Sequence, residues 1–367
     1  MPEKRYGRIL AVRLDNVGDV VMLSPALRAL RGAFPSSHIT LLCSKAGATV
    51  APMLPGTDET IVHRALWQDV SGAFPFDPAA EQAFIASLAA RRFDAAFIFT
   101  SFSQSPFPPA YACYLAGIPQ RFGESKEFGG SLLTVAAPPL PDHVHQVDRN
   151  LHLLAAAGIP ADGTQMELHI PPSAAARASE LLTAAGIGAG VPFVALAPGA
   201  SCDARRYDTT RLAEAARLLV ERTGLPIVVV GTAADTPAAE QILSAVRPGA
   251  AVSLAGATSV PELAAVICAA SLLVTNNSGP LHLADAFGRP QVVLYSGTEF
   301  EEQWRPRHSP AVLQRKPTAC SPCFAFTCPY DKECLDIDPA TVAAAALRLL
   351  ETAAPAAPTR PNEEVAL

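Results

Sequence analysis

The chain has 367 residues, of which half are hydrophobic and 17% charged, with a net charge of −6. Such a length suits about two domains, each able to bury a core, and such a composition excludes a disordered chain. The acidic balance argues against nucleic acid as a partner. The sequence has no apolar run of about 18 residues and no signal-peptide core before Asp15, so a cytoplasmic protein is expected, with contact at a membrane surface left open.

Residues 8–14 (RILAVRL) read as a strand, and residues 20–34 as a helix with Leu23, Leu27 and Leu30 on one face. The connection LDNVGDVV carries Gly18, which permits a sharp turn, and Asp19 where the helix begins. Two readings are open for Asp19. It is a helix cap, or it is a carboxylate at the carboxyl end of the first strand, placed as general base on a hydroxyl. Asp15 is a second candidate in the same loop. Further strands are expected at 38–44 and 94–100, with a helix at 81–92. This alternation predicts a parallel sheet covered on both faces by helices.

The pattern changes between about residues 171 and 192, where one helix (174–186) precedes GIGAG. That glycine run comes before a strand rather than after one, the wrong order for a dinucleotide fingerprint, so it reads as a linker and helix stop. No Walker-type P-loop, G-x-S-x-G elbow or H-E-x-x-H sequence occurs. The alternation then restarts: strand 192–198, helix 209–224, strand 226–231, and on through AVSLAG, PELAAVICAA, SLLVTN and QVVLYSG. Two doubly wound α/β domains are expected, 1–178 and 190–350, with a disordered tail at 351–367. Ligands of such sheets bind at the carboxyl ends of strands, here in the cleft between the domains.

Three loops of the second half point polar groups at one sheet edge. APGASCDARRY carries Ser201, Arg205 and Arg206; two guanidinium groups suit a phosphate, or form a plain solvated basic loop. GTAAD ends in Asp235, a ribose acceptor or a helix cap. TNNSGPLHLADAFGRPQVVLYSGTEFEEQW (275–304) reads as strand, turn, helix, strand and loop. Asn276, Asn277 and Ser278 form its turn and helix cap, and Gly279 lets the backbone approach a ligand. Pro280 sits near the first helical position, and His282 lies beside free backbone N–H groups. A nucleotide pyrophosphate suits that anion site, although a capped turn with no ligand predicts the same residues.

Of eight cysteines, Cys43, Cys113, Cys202 and Cys268 are scattered and read as plain thiols. Cys320, Cys323, Cys328 and Cys334 form C-x2-C-x4-C-x5-C. A structural zinc, an iron–sulfur cluster, free thiols and local disulfides all stay open, and the spacing matches no standard zinc ribbon. Catalysis by these thiols is not expected, since no basic residue pairs with them.

Together these motifs resemble glycosyltransferase family 9, the heptosyltransferase family of lipopolysaccharide core assembly. The segment RILAVRLDNVGDVVMLSPALRALRGAFP resembles its opening motif, APGASCDARRY its basic nucleotide loop, and TNNSGPLHLADAFGRPQVVLYSGT its C-terminal signature; the resemblance spans residues 8 to 345. It implies a GT-B fold of two Rossmann-like domains facing a cleft, the first taking a sugar acceptor and the second a nucleotide-sugar donor. It implies transfer of heptose from ADP-heptose with inversion and with no metal or cofactor needed for catalysis. Asp19 matches the catalytic aspartate. Ser201, Arg205, Asp235, Asn277, Ser278, Gly279 and His282 match donor contacts. Gly18 and, in YLAGIPQRFG, Arg121 fall to the acceptor side. The family commonly has an aspartate where this chain has Asn277; an amide keeps the acceptor oxygen and loses the charge. The acceptor is expected to be a lipid-linked or oligosaccharide glycan, which implies work at the inner face of the inner membrane. Competing classes are a nucleotide-sugar epimerase or hydrolase, a non-catalytic nucleotide-sugar binder, and a metal or redox module built on the cysteines. A nicotinamide dehydrogenase is disfavoured, because LDNVGD lacks the glycine fingerprint.

Overall fold

The computed structural model describes residues 6–69 and 72–352. Most of the expected C-terminal tail, 353–367, lies outside the described residues, while 351 and 352 still belong to the last helix, Pro339–Thr352.

The first half holds strands β1 (Arg8–Arg13), β2 (His38–Cys43), β3 (Glu59–Val62), β4 (Ala95–Ile98), β5 (Gln120–Glu124) and β6 (Val135–Ala137). The second holds β7 (Val194–Ala197), β8 (Ile227–Val229), β9 (Ala251–Ser253), β10 (Leu272–Asn276), β11 (Gln291–Leu294) and β12 (Ala311–Gln314). All pairings within the two sheets are parallel, in the orders β3-β2-β1-β4-β5-β6 and β12-β11-β10-β7-β8-β9. Counted from its own first strand, each sheet therefore has the order 3-2-1-4-5-6 of the Rossmann fold. This is the two-domain GT-B architecture expected from the sequence.

Strand composition explains the layering. Ile9 and Ala11 of β1 enter one apolar cluster, Leu10 and Val12 another, because successive side chains leave opposite faces of a sheet. Both faces are covered, so β1 reads as a continuous apolar run rather than an alternating one. In the same way Val194 and Leu196 of β7 face one cluster, Ala195 and Ala197 the other. The covering helices begin and end where local chemistry dictates. Helix Thr209–Thr223 is capped by Asp208, whose Oδ1 accepts the Arg211 N–H at 2.9 Å, and stops at Gly224 with φ 69°.

The single helix expected over 20–34 is two, Val17–Val21 and Ser24–Ala33. Pro25 is the cause: it brings no N–H, and its ring would clash with the Val21 carbonyl in a continuous helix. Helix Pro172–Ala184 runs through the expected boundary at 178 and packs against Val260–Ala269 of the second half.

The order reversal in each sheet opens a crevice at its carboxyl edge, between β1 and β4 and between β7 and β10. These two crevices face each other, with helix Val17–Val21 packed on helix Gly279–Ala286. No described helix is long and apolar enough to cross a membrane.

Candidate active site between the two sheets

The loop after β1 is built around a charge that never reaches water. Arg13, the last residue of β1, is fully buried. Its Nη2 donates to Asp19 Oδ1 at 2.8 Å and to Ser101 Oγ, after β4, at 2.9 Å. Its Nε lies 2.9 Å from Asp15 Oδ2. Asp19 Oδ2 accepts the Asn16 N–H at 3.1 Å as half of a capping box, so Asp19 caps the helix and also faces the cleft. Burial pushes the Asp15 carboxyl up, with Arg13 opposing and Asp19 reinforcing the shift. Asp15 also accepts the Gln104 amide at 2.5 Å, so its hydrogen bonding is directed into the loop.

The facing wall comes from the second sheet. Arg205 closes the short turn Asp203–Arg205 after β7. Its Nε donates to Thr298 Oγ1 at 3.2 Å, its Nη1 to Ser201 Oγ at 3.4 Å, and its Nη2 pairs with Glu299. Burial raises the Glu299 carboxyl, the Arg205 charge opposes that, and Asp19 adds to it. Asn277 Oδ1 accepts from Ser296 N at 3.2 Å and Ser296 Oγ at 3.1 Å, while Nδ2 reaches Glu299 Oε2 at 3.5 Å. An aspartate at 277 would set a second carboxylate against Glu299; the amide supplies a donor instead.

The expected turn at 276–278 divides its tasks differently from a simple cap. Asn276 still belongs to β10 and ties the loops together, donating to Pro198 O at 2.8 Å and accepting from Tyr207 N at 3.1 Å. Ser278 holds the cap position of helix Gly279–Ala286 without a side-chain cap bond; its hydroxyl reaches Asn276 O and Gly199 O at 3.4 and 3.5 Å. His282 is buried on this helix, and that burial lowers its pKa to about 4, so the ring is neutral at pH 7. The ring lies against Gly18: a Cβ there would sit 2.4 Å from His282 Cδ2.

These groups line connected cavities. Asp19, Arg205, Asn277, His282 and Glu299 share one of about 260 Å³. A second, of about 400 Å³, adjoins it through Asn16, Gly18, Ser201, Ser278 and Gly279, and is walled by Val230, Asp235, Leu263 and Arg206. Asp235 keeps its cap role, its Oδ2 accepting Thr232 N and Oγ1 at 2.8 Å each, and it packs so closely on Gly199 that a Cβ there would meet Oδ1 at 2.7 Å.

Residues 82–333 match the sequence profile of glycosyltransferase family 9 (heptosyltransferase). The chain belongs to this family. Lipopolysaccharide heptosyltransferase 2 of Escherichia coli (strain K12) is 28% identical over 302 residues, spanning 78% of this chain and 82% of that one. The structure of the E. coli ADP-heptose lps heptosyltransferase II shares the fold with a TM-score of 0.74 at 24% identity, over 94% of this chain and 98% of that one. A glycosyltransferase family 9 structure from Veillonella parvula DSM 2008 gives 0.79 at 21% identity, over 95% and 99%. This heptosyltransferase thus carries a GT-B fold and the enzyme class that its motifs implied.

One expectation about the site meets a different structure. Arg121 stands at the amino end of β5, away from the cleft, and does not join the cavity walls. Its guanidinium is buried and donates to the carbonyls of Leu132, Ile118, Pro119 and Ser131, all within 3.2 Å. It fastens a strand, with four of its five N–H donors taken by backbone carbonyls. The four clustered cysteines are free thiols, and no described group of His, Cys, Asp or Glu is arranged to hold a metal ion. Cys320 and Cys323 are exposed, and Cys320 Sγ turns to Thr318 Oγ1. No catalytic step is derived through these thiols.

Arg13, Ser101, Thr298 and Glu299 were not singled out in the sequence. Arg13 carried a signal: an arginine ending an otherwise apolar buried strand requires carboxylates nearby. Glu299 lay inside the long C-terminal motif among Thr298, Glu301, Glu302 and Gln303, with nothing to separate it from them.

Proposed function

We propose that this protein transfers heptose from ADP-heptose to a lipopolysaccharide-core glycan, with inversion and without a catalytic metal. The observation that carries the proposal is that Asp19 and Arg205, from opposite sheets, line one cavity of about 260 Å³. Glycosyl transfer needs a base on the acceptor and positive charge on the leaving group at the same time. In this reading Asp19 takes the acceptor hydroxyl proton as that oxygen bonds to the anomeric carbon. The bond from this carbon to the ADP oxygen breaks on the opposite face, which inverts the centre. Arg205 and the Gly279 end of its helix stabilise the charge left on ADP. The nucleoside occupies the neighbouring cavity, with apolar contact from Val230 and Leu263 and hydrogen-bond acceptance from Asp235.

Arg13 supports the role of Asp19, since its buried guanidinium, 2.8 Å away, fixes the carboxylate at the cleft by a charge-assisted hydrogen bond. His282, neutral beside it, adds bulk and a hydrogen-bonding ring without competing charge. The names of the E. coli relatives support the donor and the acceptor class.

The test is calorimetric titration of ADP and UDP against wild type and Arg205→Ala, then transfer assays with Asp19→Asn. The expected result is ADP preferred, affinity reduced about 10- to 100-fold by Arg205→Ala, and transfer reduced about 10²- to 10⁴-fold by Asp19→Asn with ADP affinity kept. Preference for UDP would move the donor, and absence of nucleotide binding would sink the site.

A further inference from the structure

The cysteine-rich segment lies over the second sheet's loops at the cleft. Cys323 N donates to Gly297 O at 3.0 Å, Phe324 N to Thr298 O at 2.9 Å, and Ala204 N to Phe326 O at 3.1 Å. Lys332 Nζ adds a bond to Asp203 Oδ1 at 2.8 Å. The segment is thereby sewn onto the two loops that hold Arg205. Its aromatic rings are not put away in a core: Phe324 is 50% exposed and Phe326 61%. Phe324 has φ 53°, a costly backbone for a bulky side chain, and its ring lies 5.5 Å from Phe102, in the loop after β4 of the other sheet, and 6.2 Å from Phe300.

Three cavities adjoin one another through shared wall residues. The 400 Å³ cavity adjoins the 260 Å³ one on the side of Ser278 and Gly279. A third, of about 180 Å³, adjoins the same 260 Å³ cavity through a different set of residues, Ser101, Phe102, Ser103 and Gln104. Phe102 lines both of these, and Phe326 lines the central one. The third cavity is otherwise hydroxyl and amide groups with Lys126 and two glutamates. A sugar ring has an apolar C–H face and a rim of hydroxyls. Exposed aromatic faces beside a polar, hydroxyl-rich wall complement both parts of it.

We propose that Phe102, Phe324 and Phe326 form the acceptor subsite, stacking on the sugar ring next to the attacking hydroxyl, with Ser103 and Gln104 on its rim. The inference rests on the transferase reading above and extends it. The acceptor is then held by both halves of the molecule, and the segment 320–334 contributes through its phenylalanines rather than its thiols. Phe324 packs on Phe102 across the cleft, so the subsite is built from loops of both sheets.

The experiment is saturation-transfer NMR from aromatic protons to a delipidated lipopolysaccharide-core oligosaccharide, with ADP present. It compares wild type, Phe324→Ala, Phe326→Ala and the ring-preserving Phe324→Tyr. The expected result is transfer in wild type and Phe324→Tyr, with affinity about tenfold weaker in each alanine variant, the loss of one stacked ring. Calorimetric ADP affinity should stay within about twofold throughout, which also reports that the variants are folded. No transfer in wild type, or transfer that survives both alanine substitutions, overturns the subsite. Failure of ADP to bind wild type would instead count against the donor site, whatever the oligosaccharide does.

Discussion

Gly18 stands directly against the imidazole of His282, so that any Cβ at 18 would fall 2.4 Å from Cδ2 and 3.0 Å from Nε2. One residue belongs to the turn that presents Asp19, the other to the helix that would meet the donor. Their contact sets how closely the two crevices approach, and the absence of a side chain at 18 is what allows it.

Gly18→Ala should therefore push the two helices apart. Overpacking of this kind costs about 1–3 kcal/mol, to be read by urea unfolding. Transfer activity should fall further than stability implies, because Asp19 is on the same turn. Adding His282→Ala should restore most of the lost stability, a non-additivity that two unrelated defects would not show.

Asn277→Asp should bring two carboxylates together, since Asn277 Nδ2 is 3.5 Å from Glu299 Oε2. At an effective dielectric near 20 such a pair repels by several kcal/mol, of the order of 4 before relaxation. One of the two then holds a proton, so the destabilisation should be smaller at pH 5 than at pH 8. ADP affinity should also drop, because negative charge is added beside Arg205. Unchanged stability at both pH values would mean that Glu299 is not the partner of this amide.

Arg121→Ala should leave the kinetic constants for donor and acceptor unchanged while lowering stability. The side chain satisfies four backbone carbonyls around the amino end of β5. Losing bonds from a buried charged donor costs about 1.5–3 kcal/mol. A raised acceptor KM with normal stability would return Arg121 to the acceptor site.

Acid should weaken the fold through its buried histidines. Burial holds both His282 and His145 at about 4 in the folded chain, below the unfolded value near 6.5. The unfolded chain thus takes up protons first. Stability from each group is complete above pH 6.5 and is lost as the pH falls towards 4. At pH 5 each should cost about 2 kcal/mol relative to pH 7.5. His282→Gln should remove its share of that slope, measured as the difference in unfolding free energy between the two pH values.

The sequence by itself determined the two-sheet plan and the position of three loops. Apolar runs such as RILAVRL and SLLVTN could only be strands buried on both faces, and their alternation with helical periods leaves few ways to wind a sheet. Asp19, Arg205 and the turn at 277–282 were visible because a glycine, a cap residue or a basic pair just after a strand marks the sheet's carboxyl edge. Only the tertiary structure decided which of those groups meet. Arg13 with Ser101, Arg205 with Glu299, Gly18 with His282 and Phe324 with Phe102 are all pairs from different strands' loops, and sequence spacing carries no information about distances across a cleft. Arg121 shows the converse. Its neighbours suggested a site, but its place near the start of β5 put it at the sheet's amino edge, where its guanidinium was taken up by backbone carbonyls. A residue's chemistry is written in its type; whether that chemistry is spent on the fold or left facing a ligand depends on which end of a strand it occupies and what packs against it.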